Sequence, residues 1–347
     1  MTSSFSIITP VYNNDIAQVE RAVKSVEGQG VSCEMIIVDD GSQDILPDQL
    51  DQLASLYPFL KVIHKPNGGV SSARNVAIAQ CRGDYVFFLD ADDEIEEGAL
   101  AASQTLLEAN ECDAVYGNML LIFPNESTQT GWPPFEESGE FVLFECEQLD
   151  YLKAAQFRPD SLRQFKMPSM LIPNNCSALF KGGIIRKIRF DEGIVMAEDR
   201  LFNLKFLSLA SRVGITDAVW YKYYQEENAA THRIRPHALE EFEATALKYE
   251  QLIASSTPLV ENSLYSGIFE CFLQTLIFTI PRRQFNKSMG MSRTQYTKKA
   301  LATRVFKMGI NNAAPTSSWQ NLIMRLAKSN HPQLINGAIM GRRLLKH

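Results

Sequence analysis

The chain has 347 residues, 45% apolar and 21% charged, which is enough for one large α/β domain with additions or for two domains of ordinary globular composition. No repeat or low-complexity tract is present, no window approaches the roughly 18 apolar residues of a spanning helix, and "MTSSFSIITPVYNN" lacks the basic and apolar regions of a secretory signal. The net charge of −6 conceals a split, because residues 271–347 carry 13 Lys and Arg and no acid, leaving 21 basic against 40 acidic residues in 1–270; so acidic a body excludes a duplex-DNA reader, and the tail is expected to meet an anionic surface.

The stretch "FSIITP" (5–10) reads as a first strand. Apolar spacing at Ile16, Val19, Ala22, Val23 and Val26 predicts a helix over 15–28, ended by Gly28 and Gly30. Strands follow at "EMIIVDD" (34–40), "KVIHK" (61–65), "DYVFFLD" (84–90) and "DAVYGNMLLI" (113–122), with helical segments near 46–56, 71–80 and 98–109. Near-continuous apolar strands alternating with helices predict a parallel sheet covered on both faces. Residues 123–145, rich in Pro, Gly, Ser and acid, read as a long loop or lid. Beyond them come a strand and turn in "NNCSALFKGG" (174–183), a helix in "AEDRLFNLKFLSLASR" (197–212) and a strand in "GITDAVWYKYYQ" (214–225). Helices are then expected over about 236–255, 258–280, 292–308, 316–328 and 333–346. The six cysteines are scattered, with no CxxC pair, as reduced core thiols would be.

Acids gather where strands end: Asp39 and Asp40 after one, Asp90, Asp92 and Asp93 after another. In open α/β sheets the ligand crevice lies at those ends, so these carboxylates are expected to share a cleft. In an extended backbone i and i+2 face the same way, so Asp90 and Asp92 can engage one hard cation. Mg²⁺ takes few protein carboxylates and keeps positions for phosphate oxygens. A divalent ion carrying a diphosphate would therefore neutralise the cluster; taken alone, the same DxD also describes a solvated acidic turn. One of Asp39 and Asp40 is expected to point into the cleft, where it can accept from a nucleobase imide or a ribose hydroxyl. In "NGGVSSARN" (67–75), the two glycines permit close backbone approach and Arg74 can reach a phosphate.

Taken together, "ITPVYNN" (8–14), "IIVDDGSQD" (36–44), "NGGVSSARN" (67–75), "GDYVFFLDADD" (83–93) and "AEDRLF" (197–202) resemble the motifs of family 2 glycosyltransferases, in family order. The resemblance covers about residues 4–225 and implies a GT-A fold: an α/β, mostly parallel sheet flanked by helices, here with a C-terminal helical extension. It implies that Pro10, Val11 and Tyr12 line the nucleotide pocket and that Asp40, or else Asp39, holds the base of a nucleoside diphosphate sugar. Arg74 and Asn75 would sit by the nucleotide and sugar, Asp90 would contact ribose or sugar, and Asp92 would bind Mn²⁺ or Mg²⁺ with Asp93 beside it. Asp199 would be the catalytic base of an inverting displacement, with Glu198 as the fallback. An acceptor hydroxyl loses its proton as it attacks, so a positioned carboxylate on a segment separate from the metal is required.

The QxxRW motif of processive synthases and their membrane helices are absent from the sequence, so transfer of one or a few sugars is expected. His232, Arg233 and Arg235 are candidates to meet the diphosphate from a mobile loop. Asn174 and Asn175 are candidates for acceptor hydroxyls, and Trp132 and Phe135 for stacking on a sugar face; Trp132 equally suits a loop anchor.

The chain is expected to divide into a GT-A domain over 1–225, with a nucleotide-binding half at 1–122 and an acceptor-side half at 123–225, and a basic helical region over 226–347. Amphipathic basic spacing around Trp319, Leu322, Ile323 and Leu326 suits docking of 282–347 on an anionic membrane surface, or else packing of that apolar face on the catalytic domain or another subunit. The expected partners are a nucleotide-sugar donor, a UDP-sugar foremost, and a glycan or lipid-linked glycan acceptor of capsule, O-antigen or exopolysaccharide type, with no nucleic acid. The expected location is cytoplasmic, peripheral on the inner face of the membrane. The alternatives are transfer to polyprenyl phosphate and a catalytically idle assembly scaffold. A dinucleotide oxidoreductase is disfavoured because no GxGxxG follows the first strand.

Overall fold

The computed structural model describes residues 4–135, 141–168, 174–225, 237–281 and 285–344. The chain forms two compact units, Met1–Lys153 with Pro159–Glu227, and Ala154–Arg158 with Asn228–His347.

In the first unit the apolar runs form strands β1 (Phe5–Val11), β2 (Cys33–Asp39), β3 (Leu60–His64), β4 (Tyr85–Phe88), β5 (Glu94–Ile95) and β6 (Ala114–Ile122). They are followed by β7 (Thr128–Thr130), β8 (Phe141–Glu145), β9 (Ala178–Lys181) and β10 (Arg212–Tyr224). All lie in one sheet of order β3-β2-β1-β4-β9-β6-β10-β5, with β7 added on β6 and β8 on β10. The long ladders are parallel: β1 with β2 and β4, β2 with β3, and β6 with β10. The sheet is mixed rather than wholly parallel, because β9 runs antiparallel between β4 and β6. Apolar patterning identifies a buried strand but carries no information about its direction.

Helices Ile16–Glu27, Leu46–Leu56, Val70–Gln80 and Ala99–Ala109 fall where the spacing predicts them. The lid segment 123–145 contains β7 and β8, and the apolar run "FVLFE" of β8 pairs with β10. The helix expected over 197–212 spans Glu198–Leu207, because its last residues turn toward β10.

Register places the site. Val11 lies opposite Asp39 and Ile8 opposite Phe88, so β1, β2 and β4 open at one edge. Beneath it Ile7, Ile8, Ile36, Ile37 and Phe87 are fully buried, each contributing about 1.5–3 kcal/mol. Phe88 packs edge-on against Phe180, Phe190 and Phe202 at 5.9, 5.7 and 5.5 Å. This aromatic cluster fixes the 190 segment and the helix Glu198–Leu207 to the end of β4.

The second unit is helical: Ala238–Ile253, Pro258–Thr279, Arg293–Ala302, Arg304–Asn312, Ser318–Lys328 and Pro332–Leu344, with a short turn at Phe285–Met289. The single helix expected over 292–308 is broken at Thr303, whose backbone is extended (ψ 124°). Gly309 lets the helix after the break cross Pro258–Thr279 closely, since a Cβ there would lie 2.8 Å from the Phe269 nitrogen. No described helix is long and apolar enough to cross a membrane. Among the cysteines, Cys146 is exposed and Cys33 half-buried, and the other four are buried thiols.

Candidate active site

Tyr12, half exposed, directly follows β1. The loops after β1 and β2 are tied together: Asn13 N–H donates to Ser42 Oγ (3.0 Å) and Gln43 N–H to Asn13 Oδ1 (2.9 Å).

The two acids that end β2 separate. Asp39 turns to the β3 side, where Ser42 N–H donates to it at 2.9 Å and His64 Nδ1 lies 2.8 Å away. Burial pushes the Asp39 carboxyl up, but the bonds from Ser42 and His64 outweigh it and hold it below its ordinary value. Asp39 therefore does not line the cleft, and Asp40 does. Asp40 accepts from Lys65 Nζ and Gly68 N–H on Oδ1 and from Gly69 N–H on Oδ2. The turn that supplies these donors requires glycine. Gly69 sits at φ 88°, ψ 165°, a conformation reserved for glycine. A Cβ on Gly41 (φ 76°) would lie 2.7 Å from the Asn67 nitrogen. "DDG" and "NGG", two motifs in the sequence, are thus one structure.

Arg74, on the helix Val70–Gln80, is 6% exposed. Its Nη2 donates to Asp90 Oδ1 at 2.8 Å and its Nη1 to Glu198 Oε1 at 3.3 Å, with the guanidinium over the Phe190 ring at 5.3 Å. Burial opposes its charge, but Asp90, Cys176 and Glu198 more than restore it. Asn75, expected beside the nucleotide, is instead spent on Phe190 and Glu192. Its Nδ2 donates to Phe190 O and Glu192 Oε1, and its Oδ1 accepts from Phe190 N–H.

The acids after β4 lie on a turn rather than in extended backbone: β4 ends at Phe88, and Asp93 N–H donates back to Asp90 O at 3.2 Å. Asp90 and Asp92 still both line the cleft. Asp90 also accepts from Cys176 Sγ at 3.4 Å. Asp93 is 1% exposed and held by Tyr221 OH (2.7 Å) and Tyr224 N–H (2.9 Å). Burial, with Asp90 adding to it, pushes Asp93 up to about 8 against those two bonds. It braces the turn from behind instead of facing a cation. Arg21 supports the same turn, donating to the Asp92 carbonyl and pairing with Glu94 at 3.1 Å.

Asp199 lies in the first turn of the helix Glu198–Leu207 and is partly exposed. The residue before that helix, Ala197, is left-handed (φ 61°), a strained position for a side chain with Cβ. Glu198 is engaged by Arg74, and burial, then the Asp199 charge, pushes it up to about 7. Of the acceptor candidates, Asn174 caps its own turn by accepting from Cys176 N–H at 3.0 Å. Asn175 is 2% exposed, and neither of its amide atoms has a partner among the described residues. Trp132 (2% exposed) and Phe135 (8%) are buried, so neither offers a stacking face; Asn118 Nδ2 ties the Trp132 carbonyl to the sheet at 2.8 Å. His232, Arg233 and Arg235 lie outside the described residues.

The cleft holds about 440 Å³, bounded by Pro10, Val11, Tyr12, Asp40, Arg74, Asp90 and Asp92, among others. Among the described residues no group of three His, Cys, Asp or Glu side chains is placed so that it could hold a metal ion by itself. The donor set suits a divalent ion held by one or two carboxylates and otherwise by a ligand's phosphates. Sequence reasoning passed over Lys65, Cys176, Phe190 and Tyr221. Tyr221 lies in the aromatic run "WYKYY", but nothing in the sequence says which of those rings meets Asp93.

A mixed sheet with acids at its strand ends and a following helical unit is the GT-A arrangement. Residues 6–165 match the model of the family described as glycosyl transferase family 2, and this part of the chain belongs to that family. The chain is 29% identical over 239 residues to the uncharacterized glycosyltransferase EpsJ of Bacillus subtilis, 68% of this chain and 65% of EpsJ. It is 30% identical over 234 residues to the minor teichoic acid biosynthesis protein GgaB of B. subtilis, 65% of this chain but 23% of GgaB. The chain thus spans less than two thirds of either relative. In structure it is similar to residues 1–349 of S. aureus TarS in complex with UDP-GlcNAc, with a TM-score of 0.66 at 19% identity, covering 98% of this chain and 92% of that one.

Proposed function

We propose that this protein is an inverting, metal-dependent glycosyltransferase moving a sugar from a nucleoside diphosphate donor, a UDP-sugar, to a hydroxyl of a surface glycan. The observation that carries this reading is Arg74. One buried guanidinium joins Asp90, at the end of β4, to Glu198, the neighbour of Asp199 more than a hundred residues on. Acids from two distant segments thereby meet around one guanidinium, which itself borders the cleft. TarS with UDP-GlcNAc supports the donor class, and the teichoic acid role in the name of GgaB supports a glycan acceptor.

Tyr12 would stack on the base and Asp40 accept from it. Asp92, with Asp90 beside it, would hold Mn²⁺ or Mg²⁺, which when bound neutralises charge on the departing diphosphate. Arg74 keeps Asp90 and Glu198 oriented. Since Glu198 is engaged by Arg74, Asp199 would take the proton from the attacking hydroxyl.

We assign this chemistry to residues 1–225 and surface docking to 282–347, within the helical region 226–347. In the second unit Lys299 and Arg304 are spent on Glu240 and Glu250. Lys298, Lys307, Arg325 and Lys328 are exposed, as are Leu322 and Leu334. Each cation near an anionic leaflet contributes about 1 kcal/mol, which would hold the enzyme on the inner face of the cytoplasmic membrane. Sedimentation with phosphatidylglycerol vesicles should be lost when 315–347 are deleted; undiminished binding would remove this assignment.

The activity is tested with a panel of nucleotide sugars scored for Mn²⁺-dependent hydrolysis and transfer. Turnover of one donor by the wild type, and none by Asp92→Ala, is expected. Turnover surviving Asp199→Asn would favour a phosphate acceptor, which needs no strong base.

A further inference from the structure

We infer that Arg21, on the helix Ile16–Glu27, is a positioning residue that sets how tightly the Asp92 turn holds its divalent ion. The inference rests on the donor reading above and deepens it from outside the cleft. Arg21 does not line the cleft; it borders a different hollow, together with Glu20, Lys24 and Glu94. Any effect it has on the ion must therefore pass through the turn.

The helix carries two faces. Val19, Ala22, Val23 and Val26 are buried in the core. Arg21, Ser25 and Gln29 recur every four residues and so share another face of the helix and its terminal turn. Each of the three grips the backbone that follows β4. Arg21 Nη2 donates to Asp92 O. Ile95 N–H donates to Ser25 Oγ at 3.1 Å. Gln29 Nε2 donates to Glu96 O at 2.9 Å, and its Oε1 accepts from Leu100 N–H at 3.1 Å. The row registers the chain from the acidic turn to the start of the helix Ala99–Ala109. Of the three, Arg21 is the one that reaches the acidic turn itself.

Arg21 is in turn held on two further sides. Its Nε lies 3.1 Å from Glu94 Oε1, and its guanidinium sits over the Tyr224 ring at 3.9 Å. Tyr224 OH donates to Glu94 Oε1 at 2.7 Å, and Tyr224 N–H donates to Asp93. A metal ligand must be placed to within about 0.2 Å, and loss of the partners that orient a ligand commonly lowers metal affinity about 10- to 100-fold. Charge alone predicts the opposite. Without Arg21, Glu94 would keep Lys222 at 3.9 Å as its remaining ion-pair partner, and the added negative charge near the turn would draw a cation in more tightly. The sign of the change therefore separates positioning from simple electrostatics.

The test is a Mn²⁺ titration of the full chain in saturating UDP, with free ion read by electron paramagnetic resonance, beside calorimetry of UDP without metal. Arg21→Met should weaken Mn²⁺ binding about 10- to 100-fold and leave metal-free UDP binding unchanged. Arg21→Lys keeps the charge but cannot serve the carbonyl and Glu94 with one planar fork. It should show a smaller loss of the same sign, and it carries the test if Arg21→Met does not fold. Lys24→Met removes a charge paired with Glu20 on the same helix and should leave Mn²⁺ binding as it is. Mn²⁺ binding as tight as or tighter than the wild type in either folded Arg21 variant would overturn the inference. So would an equal loss of metal-free UDP binding, which would mean a general distortion of the cleft. A wild type that binds no Mn²⁺ in the presence of UDP would overturn the donor reading, and this inference with it.

Discussion

The ends of β2 and β4 begin from the same device, an apolar strand running into carboxylates, and finish differently. After β2 each acid has its own basic partner: Asp39 has His64 and Asp40 has Lys65. After β4 three acids share the surroundings of one buried guanidinium. Arg74 takes Asp90, two tyrosine contacts hold Asp93, and Asp92 borders the cleft. The first end is electrostatically complete on its own. The second concentrates negative charge beyond what Arg74 neutralises, and burial with the neighbouring Asp90 charge pushes Asp93 up. Like charges held so close are tolerated where a cation arrives with the ligand, and in the proposed function this difference would separate a base-binding end from a diphosphate-binding end.

The largest way to break the comparison is to remove the acids that face the reaction. Asp92→Ala should lower Mn²⁺-dependent turnover about 10²–10³-fold, and Asp199→Asn about 10²–10⁴-fold. Both variants should melt within a few degrees of the wild type, since neither side chain is buried. A large fall in melting temperature with either would show a scaffolding carboxylate, like Asp39, where a reacting one is expected.

Arg74→Met probes the guanidinium that the β4 end depends on. Removing one partner of a buried ion pair costs about 3–5 kcal/mol because the remaining charges are left uncompensated. Here Asp90 and Glu198 would both be left. The urea midpoint should fall accordingly, and Arg74→Lys should recover only part of the loss, because an ammonium cannot reach both acids with a fork. Lys65→Met at the β2 end should cost less, as Gly68 and Gly69 N–H groups still hold Asp40. Equal losses for the two variants would erase the distinction between the ends.

Much of this was legible in the sequence. The strands and helices of the first unit follow apolar periodicity, and Asp40, Arg74, Asp90 and Asp92 are brought to one cleft from motifs far apart in the chain. What was not legible is the direction in which a side chain turns once the backbone leaves a strand. Asp39 and Asp40 are adjacent and chemically alike, yet Gly41 (φ 76°) and the 67–69 turn send one to His64 and the other to the cleft. Asn75 follows an arginine in a motif suited to ligand binding, but the Phe190 backbone, which no local pattern connects to it, takes its amide. Trp132 sits in a polar segment typical of exposed loops, and Asn118 draws it into the core. Long-range partners of this kind are set by packing, which periodicity does not encode.

The smallest expected effect is a pH signature confined to the β2 end. The bond to Asp39 raises His64 above its ordinary 6.5, with burial opposing and Asp51 assisting. Asp39 is held below its ordinary 3.8. The raised histidine contributes stability that is complete below about 6.5, its unfolded value, and is lost as pH rises through its higher folded value. The lowered carboxyl contributes above its unfolded value and loses that contribution as pH falls through its folded one. The pair should therefore stabilise most between about pH 4 and 6.5. His64→Gln should differ from the wild type in that window and converge with it toward pH 8. The His64 side chain is 39% exposed, so solvent screening should keep the difference under about 1 kcal/mol, and added salt should shrink it. Urea titrations at pH 5.5 and 8 measure it; a difference that grew toward pH 8 would mean that His64 is held neutral, and the β2 end would no longer be the one whose charges are all matched.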